Sequence, residues 1–218
     1  MFSLSEENYL KAIFHLERAF PSGVSTNALA DEMSTKASSV TDMIKKLSEK
    51  KLVAYKKYQG VKLSDKGRET AVNVIRKHRL WEVFLVEKLG FAWDEVHEVA
   101  EQLEHIRSDK LINELDRFLD FPKRDPHGDP IPDADGNFML ANKILLSELE
   151  KGESGICVGV KDSSTEFLQY LDKNGIALGK VISILDKESF DQSMLIKLNR
   201  NELKISNLIS SNLYIKIS

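Results

Sequence analysis

From Ser5 to Phe20, apolar side chains recur at Tyr9, Leu10, Ile13, Phe14 and Leu16, the three- and four-residue spacing of a helix with one buried face. Ser5 and Asn8 are candidate starts for it, and Pro21-Ser22-Gly23 ends it. A short second helix, Asn27–Met33, turns Leu29, Ala30 and Met33 inward. After Ser34-Thr35-Lys36 comes a third, ASSVTDMIKKLSEKKLV, which buries Val40, Ile44 and Leu47. Its opposite stripe holds Ser38, Ser39, Asp42, Lys45 and Lys46. LVAYKKYQGVKLS then alternates as a β-hairpin turning near Gln59-Gly60. Helix, short helix, turn, helix and hairpin within about 60 residues is the order of a winged helix-turn-helix.

Asp65-Lys66-Gly67 opens a long helix reaching about Leu89, with Ala71, Val74, Ile75, Leu80, Phe84 and Leu85 apolar. With Trp81, Phe91 and Trp93 this surface is large enough to suggest a dimer interface, although the core of a monomer gives the same pattern. Asp94 is placed to cap a following helix, and another runs from about Ser108 to Leu119. Residues 121–136, FPKRDPHGDPIPDADG, hold four of the five prolines and read as a loop. A short helix at about Ala141–Glu150 follows. From Gly152 onward the segments GICVGVK, ALGKVISILDK, MLIKLNR, ELKISN and LYIKIS, with a small helix at Ser164–Asn174, predict a small β-barrel. The expected fold is mainly α with small β parts. Its domains are a winged helix-turn-helix over 1–65, a helical dimerisation and metal-binding domain over 66–140, a linker helix over 141–151 and a Src-homology-3-like barrel over 152–218.

Composition narrows the class. No apolar run approaches the ~20 residues that span a bilayer, and the N-terminus lacks the basic start and apolar core of a signal peptide. A lone Cys157 rules out an internal disulfide and suits a cytoplasmic protein. The net charge of −3 conceals a division: residues 36–66 carry nine Lys against three acids, whereas residues 66–150 have a balance of −6. A basic module beside an acidic one fits a polyanion binder joined to a cation binder.

The acidic part contains the chemistry. At 100° per residue His97, Glu101, Glu104 and His105 fall on one stripe about 100° wide. His78 and Glu82 repeat an imidazole–carboxylate pair at i, i+4. Two helices offering such pairs can hold a divalent ion between them. A dinuclear metal-dependent hydrolase could use the same groups; His97-Glu98-Val99-Ala100-Glu101 begins like a zinc-protease H-E-x-x-H but has no second histidine. An enzyme leaves residues 25–63 unexplained, and a constitutive DNA-binding protein leaves the ligand pattern unexplained.

RKHRLWE (76–82), VHEVAEQLEH…SD (96–109), PHGDPIP (126–132) and LSDKG (63–67), in this order around a winged helix, resemble the diphtheria toxin repressor family of iron- or manganese-controlled regulators. The resemblance covers nearly the whole chain. It implies one metal site from Glu101, Glu104 and His105 with Asn8, and an adjoining one from His78, Glu82 and His97, with Asp125, His127 and Asp162 at positions where some members add ligands. It also implies a cytoplasmic homodimeric repressor of metal-homeostasis genes that binds double-stranded operator DNA. Its cofactor would be Mn(II) or Fe(II), up to two ions per subunit, replaceable in vitro by Zn(II) or Co(II), with no small organic substrate and no membrane partner. The chain departs from the family at Asn8, where manganese-type members have Asp, and at Lys11, where they have Glu. Ser38, Ser39, Thr41, Asp42, Lys45 and Lys46 on the third helix, and Lys56, Lys57 and Lys62 on the wing, would face DNA.

Overall fold

The computed structural model describes residues 2–56, 59–139 and 142–217 of the 218-residue chain. They form two compact units: Met1–Trp81, Ala100–Leu115 and Pro132–Phe138 in the first, Glu82–Val99, Asp116–Ile131 and Met139–Ser218 in the second. Among the described residues no helix is long and apolar enough to cross a membrane.

The first unit begins with α1 (Leu4–Leu16), α2 (Thr26–Glu32), α3 (Ala37–Glu49) and the hairpin β1 (Val53–Lys56) and β2 (Gly60–Leu63). The start of α1 is set by Ser3, ahead of both Ser5 and Asn8. Ser3 Oγ accepts the Glu6 amide at 3.3 Å, while Glu6 Oε2 accepts the Ser3 amide at 2.8 Å, a reciprocal capping box. Leu10, Ile13, Leu29, Leu47 and Leu52 are fully buried in one cluster. Each such side chain contributes roughly 1.5–3 kcal/mol by leaving water. The hairpin is antiparallel with Lys56 opposite Gly60 and Ala54 opposite Lys62, so the expected wing is present. Gly23, at φ +140°, lets the wing close on the chain before α2: a Cβ there would lie 2.0 Å from the Gln59 carbonyl oxygen.

Helix α4 (Asp65–Leu89) has the span expected from its apolar spacing, and α5 (Val96–Leu103) and α6 (Asp109–Phe118) follow. In the second unit a six-stranded antiparallel sheet has the order β3-β8-β4-β5-β6-β7. Its strands are β3 (Ile144–Leu145), β4 (Ser154–Val160), β5 (Val181–Lys187), β6 (Met194–Leu198), β7 (Asn201–Ile205) and β8 (Leu213–Ile217). Register shifts at Cys157/Gly159 in β4 and at Ile184/Asp186 in β5 bend the sheet. It curls over one core that also takes Leu168 and Leu171 from α7 (Thr165–Lys173). A short α8 (Asn207–Ser210) joins β7 to β8.

The linker helix expected over 141–151 is not formed by the described residues. Ile144 and Leu145 pair with Ile215 and Tyr214 as strand β3, and Leu146–Glu148 make a single 3-10 turn. Leu146 and Leu149, three residues apart, are both buried in the sheet core. One tight turn satisfies that spacing as well as a helix would. Ala141 lies outside the described residues.

Candidate metal centre and nucleic-acid surface

Helix α5 ends at Leu103, so the stripe expected to run from His97 to His105 on one helix is broken. Glu101 is in the last helical turn, while Glu104 and His105 lie in the turn that closes it. In the first unit, the Glu104 carboxylate is completely buried and accepts three bonds. Lys11 Nζ is 2.8 Å from both of its oxygens, and His78 Nδ1 is 2.6 Å from Oε2. Burial raises the carboxyl's pKa, but the His78 hydrogen bond and the Lys11 charge outweigh it and hold the pKa below the usual carboxylate value. Lys11 also lies 3.5 Å from Glu101 Oε1.

His105 directs Nδ1 to Glu7 Oε2 at 2.6 Å and Nε2 towards Glu104 Oε1 at 3.7 Å. A carboxylate on one nitrogen fixes the ring and leaves the other as a ligand. Glu7 is therefore a positioning residue that the sequence reading missed; only its place on the same α1 face as Lys11, at i, i+4, could have pointed to it. Asn8 Oδ1 is buried with no hydrogen-bond partner among the described residues.

The second unit holds a different group. Glu82, Asp125 and His127 are all buried and each offers a ligand atom within 4.8 Å of the others. Glu82 Oε1 lies 3.7 Å from His127 Nδ1 and 3.5 Å from His97 Nδ1; the His97 side chain is 53% exposed. The 121–136 segment builds this centre. Asp125 Oδ1 accepts the amides of His127 and Asp129, each at 2.9 Å, and Arg124 donates to the Gly128 carbonyl. Gly128, at φ +88°, lets the loop lie against β4: a Cβ would meet the Val158 carbonyl oxygen at 2.1 Å. The Val160 amide donates to the His127 carbonyl at 2.9 Å.

The His127 ring is oriented by Trp93, whose carbonyl accepts from Nε2 at 2.7 Å and whose indole stacks on it at 6.2 Å. That bond places the N–H on Nε2 in the neutral ring and turns the Nδ1 lone pair towards Glu82. Burial lowers the imidazole pKa, but Glu82, Asp125 and the Trp93 carbonyl outweigh it and raise the pKa above its ordinary value. Such a buried oxygen- and nitrogen-donor set fits a divalent ion.

Asp162 stands apart from this triad; its Oδ1 accepts the Ser164 amide at 2.8 Å just ahead of α7. Asp94, expected to cap the helix that follows it, accepts from Gln169 Nε2 at 2.9 Å. Trp93, expected on a dimer surface, donates Nε1 to Asp172 at 2.9 Å and packs against the sheet core. Phe118 is 65% exposed even with its ring against Phe84. Leu89 and Phe121 are exposed in the same unit.

On α3, Ser38, Ser39, Thr41, Asp42 and Lys45 are all exposed, opposite buried Val40, Ile44 and Leu47. Thr41 donates its hydroxyl to the Ala37 carbonyl at 2.9 Å. Lys45 lies 3.4 Å from Asp42. Lys46 is less free than the sequence suggests: with Lys50 it contacts Glu6 Oε1, at 3.2 and 2.7 Å. Lys56 and Lys62 are exposed on the two wing strands; Lys57 lies outside the described residues. An exposed polar helix start beside a basic hairpin can enter a groove and hold phosphates.

A winged helix together with a buried group of two carboxylates and an imidazole is the pattern of a metal-responsive DNA-binding regulator. Residues 1–61 match the family model "Iron dependent repressor, N-terminal DNA binding domain", and residues 64–133 match "Iron dependent repressor, metal binding and dimerisation domain". Residues 144–217 match the "FeoA domain" model. The chain is 31% identical over 170 residues to the iron-dependent repressor IdeR of Mycobacterium leprae (strain TN), covering 75% of this chain and 73% of that one. It is 30% identical over 193 residues to the diphtheria toxin repressor of Corynebacterium diphtheriae, covering 84% of each. A solved structure titled as a manganese-dependent transcriptional repressor in complex with manganese matches with a TM-score of 0.87 and 34% identity, over 98% of this chain and 100% of that one. ScaR with bound Cd2+ matches with a TM-score of 0.80 and 33% identity, over 98% and 99%. The chain belongs to the iron-dependent repressor family, whose members are metal-dependent, DNA-binding transcriptional repressors and not enzymes. The hydrolase alternative has no support in these relationships.

Proposed function

We propose that this protein is a cytoplasmic, homodimeric repressor that binds double-stranded operator DNA when Mn(II) or Fe(II) occupies the centre formed by Glu82, Asp125 and His127, with His97 at its rim. The observation that carries this reading is that three ionisable side chains are buried together with ligand atoms within 4.8 Å. The donors are oxygen and nitrogen only, which favours manganese or iron over thiophilic ions; Zn(II) and Co(II) can substitute in vitro. When bound, the ion supplies positive charge. The residues supply its orientation, through the Trp93 carbonyl on His127 and the Asx-type turn at Asp125.

The exposed start of α3 reads base edges through Ser38, Ser39, Thr41 and Asp42, while Lys45, Lys56, Lys57 and Lys62 hold phosphates. A second copy covers the exposed Leu89, Phe118 and Phe121, and two winged modules then meet successive major grooves about 34 Å apart. The genes controlled are those of metal homeostasis. DNA binding measured at fixed salt on a duplex selected from a random pool tests this reading. Affinity should rise with Mn(II) or Fe(II) and fall again with chelator, and an affinity indifferent to every divalent ion contradicts it.

A further inference from the structure

We propose that the Lys11 ammonium is the resident cation of the Glu101–Glu104–His105 pocket, so that the chain carries one divalent ion where its sequence pattern suggests two. This rests on the reading of Glu82, Asp125 and His127 as the centre that does take an ion. The pocket has the makings of a metal site: a buried carboxylate in Glu104, a second one in Glu101, and His105 with Nδ1 held by Glu7 and Nε2 facing Glu104. Yet the place a cation would take against Glu104 is already filled. Lys11 Nζ reaches both Glu104 oxygens at 2.8 Å and Glu101 at 3.5 Å, and His78 takes the remaining approach to Oε2 at 2.6 Å.

Charge and geometry agree on this. The Lys11 ammonium offsets the charge of the Glu104 and Glu101 carboxylates it faces, so a hydrated dication reaches them only by expelling a bonded ammonium. An ammonium on a four-carbon stem is a compact point charge with three donors, which suits the bidentate contact on Glu104 and the longer one to Glu101. The lysine comes from α1 and the glutamates from the end of α5 and the turn after it. Lys11 therefore joins these elements of the first unit permanently, where an ion would join them conditionally. Asn8, one turn before Lys11 on α1, has a buried Oδ1 without a hydrogen-bond partner among the described residues. Its amide carries no charge to draw a second cation in.

Bound Mn(II) counted on the full chain by equilibrium dialysis and elemental analysis tests this. The wild type should hold one ion per chain, lost in His127→Ala. Lys11→Glu should hold one more than the wild type, and Asn8→Asp with Lys11→Glu should hold that ion more tightly. In both, the added ion should persist when His127→Ala is introduced. Where circular dichroism shows that Lys11→Glu does not fold, Lys11→Gln replaces it and should gain an ion by the same count. No gain in any folded Lys11 variant overturns the proposal, and so does a wild type that holds two ions and loses one in Glu104→Gln. A wild type that holds none contradicts the Glu82–Asp125–His127 centre instead; the gain or its absence in Lys11→Glu still decides the role of Lys11.

Discussion

Glu6 shows how single residues set the limits on larger parts. Its side chain is only 1% exposed, yet it closes the α1 capping box and receives Lys46 and Lys50 from α3. Burial opposes its ionisation, but Lys50, the Ser3 amide and Lys46 together lower its pKa to about 2. A carboxyl with a depressed folded pKa stabilises the fold above its unfolded value, and that stability is lost as pH falls through the folded value. Acid unfolding monitored by circular dichroism should therefore show stability declining between about pH 4.5 and pH 2. Glu6→Gln, which keeps the cap geometry, should remove part of that slope and cost about 1–2 kcal/mol at neutral pH. A variant with the wild-type acid profile would show that Glu6 has no such role. The same residue bears on Lys46, which faces the Glu6 carboxylate and should therefore be a weaker phosphate partner than the other lysines of its stripe.

At the scale of elements, the loop over 121–136 and the wing each make a prediction. Gly128 has a positive φ, and a Cβ there would overlap the Val158 carbonyl. Gly128→Ala should destabilise the protein by about 3 kcal/mol in thermal or urea unfolding and weaken ion binding, because His127 is set by this loop. An alanine variant with unchanged stability and ion affinity would remove the loop from the account. On the wing, Lys56→Ala and Lys62→Ala should each weaken DNA binding evenly across sequences. Each should also reduce the slope of log K against log salt by about 1; an unchanged slope means that strand does not face phosphate. Helices α3 and α4 were legible because their apolar stripes are long and regular. The 141–151 segment is ambiguous in sequence because Leu146 and Leu149 satisfy a 3-10 turn as readily as a helix. The break after Leu103 was equally hidden: four potential ligands at helical spacing look the same whether the last two extend the helix or close it.

For the whole molecule, the order of winged helix, metal-binding helices and small sheet was readable from patterning, and the chain's family membership agrees with it. What patterning could not supply is which charges meet. Lys11 and Glu104 are 93 positions apart, and Glu7 and His105 are 98 apart; no local periodicity carries such pairings. Family resemblance alone treated Lys11 as a lost ligand, whereas the fold makes it the partner of a buried carboxylate. On the proposed function, an ion at Glu82, Asp125 and His127 favours the DNA-binding state of the protein. A differential affinity of about 3 kcal/mol between two states shifts their ratio roughly 150-fold. The most direct test is fluorescence anisotropy at fixed salt on a selected duplex of about 30 base pairs, long enough for two half-sites one turn apart. Wild type and His127→Ala are each titrated with and without Mn(II). Mn(II) should tighten wild-type binding at least tenfold, equivalent to about 1.4 kcal/mol, and leave His127→Ala unchanged. Equal tightening in both proteins, or none in either, would contradict the proposed function.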